Sequence, residues 1–306
     1  MDYVVSTREL TRKFGDFTAV NNLTINIRKG EIYGFLGPNG SGKSTTIRML
    51  CGILEPTSGS GSVLGFDLAR ESEMIKRNIG YMSQKFSLYD DLTVYENLDF
   101  YAGLYSVPKK ERRHRIKELI DLSILTGREN ELAANLGGGL KQRLALSCAI
   151  ISRPAILFLD EPTSGVSPTS RRQFFRIIQN LASEGTTVMV TTHFMDEAER
   201  CHNIAFISEG TLIANDTPEN LKKNTIEGCM VEIDMPDALN RIHEFESLPY
   251  VRECSVHGPV LHALLENEAH IKDVEKKAGT TALKITPSLE DVFISLSRKK
   301  RRQSGK

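Results

Sequence analysis

The stretch GPNGSGKST, residues 37–45, limits what this chain can fold into more than any other. It fits G-x-x-x-x-G-K-[ST], a pattern that arises by chance in about one in a hundred chains of this size at average composition. Residues 32–37 (IYGFLG) before it read as a short apolar strand. Residues 44–53 after it read as a helix, broken by the Gly- and Ser-rich stretch 55–62. Strand, glycine loop and helix in that order form a cradle for phosphate, where a plain glycine turn would need no lysine. The loop of Gly37, Pro38, Asn39, Gly40, Ser41 and Gly42 can wrap phosphate oxygens with its backbone N–H groups, which each of these residues but Pro38 carries. Lys43 neutralises the β- and γ-phosphates, and Ser44, followed by Thr45, offers a hydroxyl to Mg²⁺.

A second stretch, AILFLDEP (155–162), supplies the carboxylates that such a loop lacks. Asp160 ends an apolar strand, where a carboxylate has to be paired or bound to metal unless the strand end is solvated. It is expected to hold Mg²⁺, through water. Glu161 is placed to polarise an attacking water. Residues 187–193 (TVMVTTH) read as another buried strand, and 170–185 between them as an amphipathic helix ended by Gly185. This alternation predicts an α/β fold with a mostly parallel sheet and helices on its faces.

Residues 2–10 and 20–28 read as strands, with FGDF (14–17) at a turn. A mostly helical stretch runs from about 85 to 152, and within it 109–122 places Ile116, Leu119 and Ile120 on one face. After about Lys223 the pattern changes to β-α-β-β-α-β, as in ferredoxin-like units. The expected organisation is a nucleotide-binding domain over 1–223, an accessory α/β module over 224–296 and a basic tail over 297–306.

Composition excludes little but points away from nucleic acid. Lys+Arg and Asp+Glu are 39 each, so net charge names no partner. The closing SRKKRRQSGK is a solubilising tail or a contact for an anionic membrane surface. No apolar run approaches the roughly 18 residues of a membrane span, and the strand-like opening predicts no signal peptide. The five cysteines (51, 148, 201, 229, 254) lack metal-ligand spacing and read as reduced thiols.

Residues 3–220 resemble the nucleotide-binding subunit of an ATP-binding cassette (ABC) transporter, with the motifs in that family's order. Gln84 in YMSQKFSLYDDLT matches the glutamine that reaches Mg²⁺ beside the membrane-subunit contact. His193 in TTHFMDEAE matches the switch histidine on the γ-phosphate. Phe14 is similar to the aromatic residue that stacks on adenine, with Phe17 as a rival. LGGGLKQR (136–143) stands at the signature position and SGVS (164–167) at the D-loop. The resemblance implies a P-loop ATPase fold of ABC type, with a mixed sheet and a helical subdomain, that uses ATP and Mg²⁺.

The resemblance also implies a head-to-tail dimer, homomeric or heteromeric. In it the signature loop of one subunit (Gly137, Gly138, Gly139) closes on the ATP held by the other. A membrane permease as a further partner would put the chain in the cytoplasm, against the inner face of the cell membrane. LYDDLTVYENL, VTTHFMDEAE and ITPSLEDVFISL are similar to drug-resistance and multidrug exporters. Two departures stand out: the usual signature has a serine where Gly137 stands, and the D-loop usually ends in Asp where Ser167 stands. They keep a catalytically weak subunit as an alternative, beside an importer and a non-transport ATPase.

Overall fold

The computed structural model describes residues 3–84 and 88–303, excluding the side chains of 301–303. The chain divides into two compact units between Asn215 and Asp216.

The first unit opens with β1 (Tyr3–Phe14), β2 (Phe17–Leu23), β3 (Asn26–Arg28) and β4 (Ile32–Leu36), followed by α1 (Lys43–Leu50). Next come β5 (Ser58–Val63), β6 (Phe66–Asp67), α2 (Ser72–Asn78), β7 (Ile79–Met82), α3 (Val94–Leu104), α4 (Lys109–Leu122) and α5 (Gly138–Ala149). It closes with β8 (Ile156–Asp160), α6 (Pro168–Ser183), β9 (Thr187–Thr192), the single turn α7 (Met195–Ala198), β10 (Asn203–Ser208) and β11 (Thr211–Asp216).

Six strands form one sheet in the order β11-β10-β4-β9-β8-β7, parallel from β10 to β7. Every residue of β4, β8 and β9 is buried, which is what helices on both faces of a parallel sheet produce. A second, antiparallel sheet runs β2-β1-β5-β6, with β3 also on β1. Tyr33, Phe35, Ile47 and Phe158 are among the residues of this unit's core.

Two parts of this architecture differ from the sequence reading. The β1–β2 strands continue to Phe14 and resume at Phe17, leaving a two-residue turn on Gly15 with φ 57°. The helix α1 ends at Leu50 with Cys51 as its C-cap, before the Gly- and Ser-rich stretch, most of which forms β5, paired with β1. Here glycine serves close approach: a Cβ on Gly61 would lie 2.9 Å from the Ser6 carbonyl oxygen, and one on Gly59 (φ 83°) 2.3 Å from that of Glu9.

The stretch expected to be helical contains α3, α4 and α5; residues 85–87 lie outside the described ones. A Thr93–Glu96 capping box starts α3. The buried Asn97 amide pins the segment before it, donating to the carbonyls of Tyr89, Leu92 and Thr93 and accepting from the Tyr89 N–H.

The second unit comprises α8 (Pro218–Asn224), β12 (Cys229–Asp234), α9 (Ala238–Glu246), β13 (Val251–His257), β14 (Val260–Leu265), α10 (Ile271–Ala278), β15 (Ala282–Lys284) and α11 (Leu289–Gln303). Its antiparallel sheet has the order β13-β14-β12-β15, the arrangement of a ferredoxin-like β-α-β-β-α-β unit. The helix α8, which the sequence pattern put with the first unit, packs on α11 in the second. The expected tail is helical through Gln303, because α11 starts on Glu290 and Asp291 and ends in basic residues, as a helix dipole favours.

All five cysteines are free and buried. Among the described residues no helix is long and apolar enough to cross a membrane.

The second unit's core (Val231, Ile233, Phe245, Leu261, Val274) shares no residue with the first unit's core cluster. Ile233→Ala is therefore expected to destabilise the second unit by about 2–5 kcal/mol. Calorimetry should show the second unit's transition falling while the first unit's transition stays in place. A drop in both would mean that the units unfold as one.

Candidate functional site

Parallel pairing brings the carboxyl ends of β4, β7, β8 and β9 to one edge of the sheet, with Leu36 opposite Thr192 and Asp160 opposite Thr191. In open α/β sheets ligands bind outside such strand ends. The loop leaving β4 is tightly constrained. A Cβ on Gly37 would lie 2.3 Å from the Ile207 carbonyl oxygen. Gly42, at φ 105°, would place one 2.5 Å from that of Ala19. Gly42 is also the N-cap of α1 and offers no side chain to the helix's first N–H groups. The Ser41 hydroxyl is buried without a hydrogen-bond partner among the described groups. Free N–H groups, a helix N-terminus and an orphan hydroxyl fit an anion.

Lys43 is only 4% exposed. Its ammonium donates to the carbonyls of Gly37 (2.9 Å) and Pro38 (3.1 Å) and lies 2.9 Å from Glu161 Oε1. The other Glu161 oxygen accepts from Gln84 Nε2 at 3.2 Å and lies 3.7 Å from His193 Nδ1. Glu161 has a left-handed backbone, φ 46°, at the sharp exit from β8. Asp160 is buried, not solvated, and accepts at Oδ1 from Ser44 Oγ (3.0 Å) and Thr191 Oγ1 (2.9 Å). Ser44, Asp160 and the Gln84 amide oxygen are a hard oxygen donor set that suits Mg²⁺.

Asn39, Gly40 and Thr45 line the cleft over this group, which encloses about 330 Å³. Phe17, the rival to Phe14, is the aromatic residue among those lining this cleft. The Phe14 ring carries the Arg12 guanidinium, 4.6 Å from its centroid. The two-residue turn sets Phe17 directly across from Phe14, so the two residues stand on the same face of the hairpin end.

The three glycines of the signature stretch stand at the start of α5. Gly137 is the N-cap of α5, with φ −64° and ψ 154°, and nothing lies within 4 Å of where its Cβ would be. Gly138 and Gly139 form the first turn of α5. A Cβ on Gly138 would touch Val166, and one on Gly139 would lie 2.5 Å from Ser170 Oγ. Ser167 caps α6, accepting from the Ser170 N–H at 3.3 Å.

Sequence reasoning missed Thr191, which also accepts the Glu161 N–H at 2.8 Å and so holds both carboxylate residues. A hydroxyl in the buried strand TVMVTT was its available signal, since a buried polar group needs a partner. It also missed Glu197, 1% exposed, which accepts from Thr163 and Thr192 and faces Arg171 at 3.6 Å. Burial pushes the Glu197 carboxyl above its ordinary range. The group braces the turn that carries His193.

Comparison with known proteins gives the family. A family model described as "ABC transporter" matches residues 20–164. The chain is 46% identical over 244 residues to the probable multidrug ABC transporter ATP-binding protein YbhF of Escherichia coli (strain K12). That match spans 79% of this chain but 42% of the relative, less than half its length. To the Nod factor export ATP-binding protein I of Burkholderia thailandensis it is 32% identical over 295 residues, 96% of each protein. Among solved structures, cbiO1 from Clostridium perfringens, part of the ABC transporter complex cbiONQ, superposes with TM-score 0.68 at 28% identity, over 73% of this chain and 92% of that one. A dimeric post-hydrolysis state of the ATP-binding cassette MJ0796 bound to ADP and Pi gives 0.64 at 27%, over 70% and 98%. With a phosphate loop and carboxylate pair of this geometry and a full-length relative of this identity, the chain belongs to the ABC transporter family as an ATP-binding subunit.

Proposed function

We propose that the chain hydrolyses ATP in a head-to-tail dimer and thereby powers export through a separate membrane permease, on the inner face of the membrane. The observation that carries this reading is the convergence of Lys43, Gln84 and His193 on the two oxygens of Glu161. Export is favoured because the two relatives are a probable multidrug transporter protein and a Nod factor export protein.

The geometry suggests a sequence of exchanges. An entering triphosphate competes with Glu161 for the Lys43 ammonium. As Lys43 turns to the phosphates, Glu161 loses its cation and becomes a free base. Gln84 and His193 stay beside it, so a water at that carboxylate has both a proton acceptor and two orienting groups. Ser44, Asp160 and Gln84 would hold Mg²⁺, which supplies charge neutralisation of the phosphates when bound. Phe17 would stack on the base. The exposed N-terminus of α5, with the N–H groups of Gly138 and Gly139, would meet the γ-phosphate held by the partner subunit.

A second reading, a low-turnover subunit beside an active partner, is supported by Gly137 and Ser167. One charge-assisted hydrogen bond across the dimer is absent at Gly137, a difference of about 1.5–3 kcal/mol. Ser167 keeps its role as a helix cap, which Asp would keep equally well.

Glu161→Gln is expected to lower ATP turnover by about a hundredfold or more while nucleotide binding persists. Light scattering should then find the variant held as a dimer by ATP. A monomer at saturating ATP and high protein concentration would argue against a homodimer. Gly137→Ser is sterically free at this φ and in this open space. Steady-state hydrolysis should rise about tenfold, equivalent to roughly 1.4 kcal/mol of recovered bonding. If the variant folds and binds ATP without any gain, glycine at 137 is an adaptation of this site and the deficit reading fails.

A further inference from the structure

We propose that the second unit carries a divalent transition-metal site formed by His257, His262 and Asp291. The inference is independent of the nucleotide chemistry. One donor atom from each of the three side chains lies within 4.8 Å of the others. Asp291 Oδ1 is 3.1 Å from His262 Nδ1 and 3.3 Å from His257 Nε2. Ligands about 2.0–2.1 Å from a tetrahedral zinc are separated from one another by about 3.3 Å. These two spacings already match the edges of such a site.

Topology explains why the three meet. On the β13–β14 ladder Ser255 pairs with His262, and His257 lies two residues beyond Ser255 on the same face. The two imidazoles stack with centroids 4.1 Å apart. The first turn of α11 adds Asp291 from across that face.

A second observation points to a metal more than to a simple ion pair: the outer groups of a metal site are present. In such sites the histidine nitrogen facing away from the metal donates to a carboxylate, which fixes tautomer and ring orientation. His262 Nε2 lies 3.2 Å from Glu232 Oε2, and His257 Nδ1 lies 3.7 Å from Glu290 Oε2. Each ring therefore has one nitrogen toward Asp291 and one toward a separate carboxylate. Asp291 is oriented in turn by the Ser288 N–H (2.8 Å) and hydroxyl (2.7 Å) and by the Ser255 hydroxyl (3.2 Å).

His262 and Asp291 are buried, while His257 keeps 20% of its side chain exposed, which leaves an entry path and a coordination position open to water. Two imidazoles and one carboxylate suit zinc, iron(II) or nickel(II) over calcium or magnesium. The ion would fasten the start of α11 to the β13–β14 hairpin.

The test uses the full chain, stripped with a chelator and titrated with Co²⁺ in millimolar Mg²⁺. One equivalent is expected to bind with a visible d–d band, with no thiolate charge-transfer band, and to be displaced by Zn²⁺. His257→Ala should weaken binding at least tenfold with an unchanged circular dichroism spectrum. His193→Ala, in the nucleotide cleft, should leave the band intact. Asp291→Asn is a second variant; because Asp291 also organises the start of α11, His257→Ala decides if that variant misfolds. Failure of the wild type to take up stoichiometric Co²⁺ would overturn the proposal, leaving a metal-free imidazole–carboxylate clip. So would unchanged affinity in His257→Ala, or loss of the band in His193→Ala.

Discussion

The buried ion pair between Lys43 and Glu161 is the interaction around which the rest of the nucleotide cleft is arranged. Both side chains are almost withdrawn from water, at 4% and 8% exposure. Two such charges persist together because removing either leaves the other buried and uncompensated. The remaining hydrogens of the ammonium go to the Gly37 and Pro38 carbonyls, so the pair also sets the curvature of the loop. Glu161 reaches this position only by a left-handed backbone, a conformation that costs on the order of 1–3 kcal/mol and is found where surrounding contacts over-determine it. Those contacts come from the neighbouring strand, through Thr191.

Much of the fold could be read from residue pattern where local chemistry and tertiary packing agree. The helix read over 109–122 coincides with α4, because its apolar spacing already describes one face. The phosphate loop was legible because its glycines are demanded by backbone approach at fixed points, notably Gly37 and Gly42. The β5 strand was not legible as a strand. Glycine and serine weaken a strand by themselves, and only the nearness of β1 makes them necessary. The roles of Thr191 and Glu197 were hard to read for a related reason: apart from Thr192, five residues before Glu197, the partners that define them are far away in sequence, on β8 and α6 or in the loop between them.

The second unit shows both outcomes within one module. Alternation of apolar residues in 229–235 identifies a half-buried strand, and β12 is the inner strand on which β14 and β15 pair. The charge-rich end reads as a tail, yet α11 runs through it, since its acidic start and basic finish reinforce each other along the helix. Similarly, α8 has a Thr217 cap and Pro218 that mark its start clearly, but neither says which unit it joins. That depended on α11, the element least apparent from the pattern.

The three consecutive glycines at 137–139 are not equivalent as heritable positions. At 139 the volume of a methyl group is already filled by Ser170 of α6, with Oγ at 2.5 Å and Cβ at 2.8 Å. That glycine is held in place by packing within its own chain, whatever the subunit binds. At 137 the space is empty and the backbone suits any residue. Packing within the chain therefore puts no constraint on the first glycine, whereas the third can change only together with residue 170. The two sites form an epistatic pair, and a lineage that enlarges one must first shrink the other.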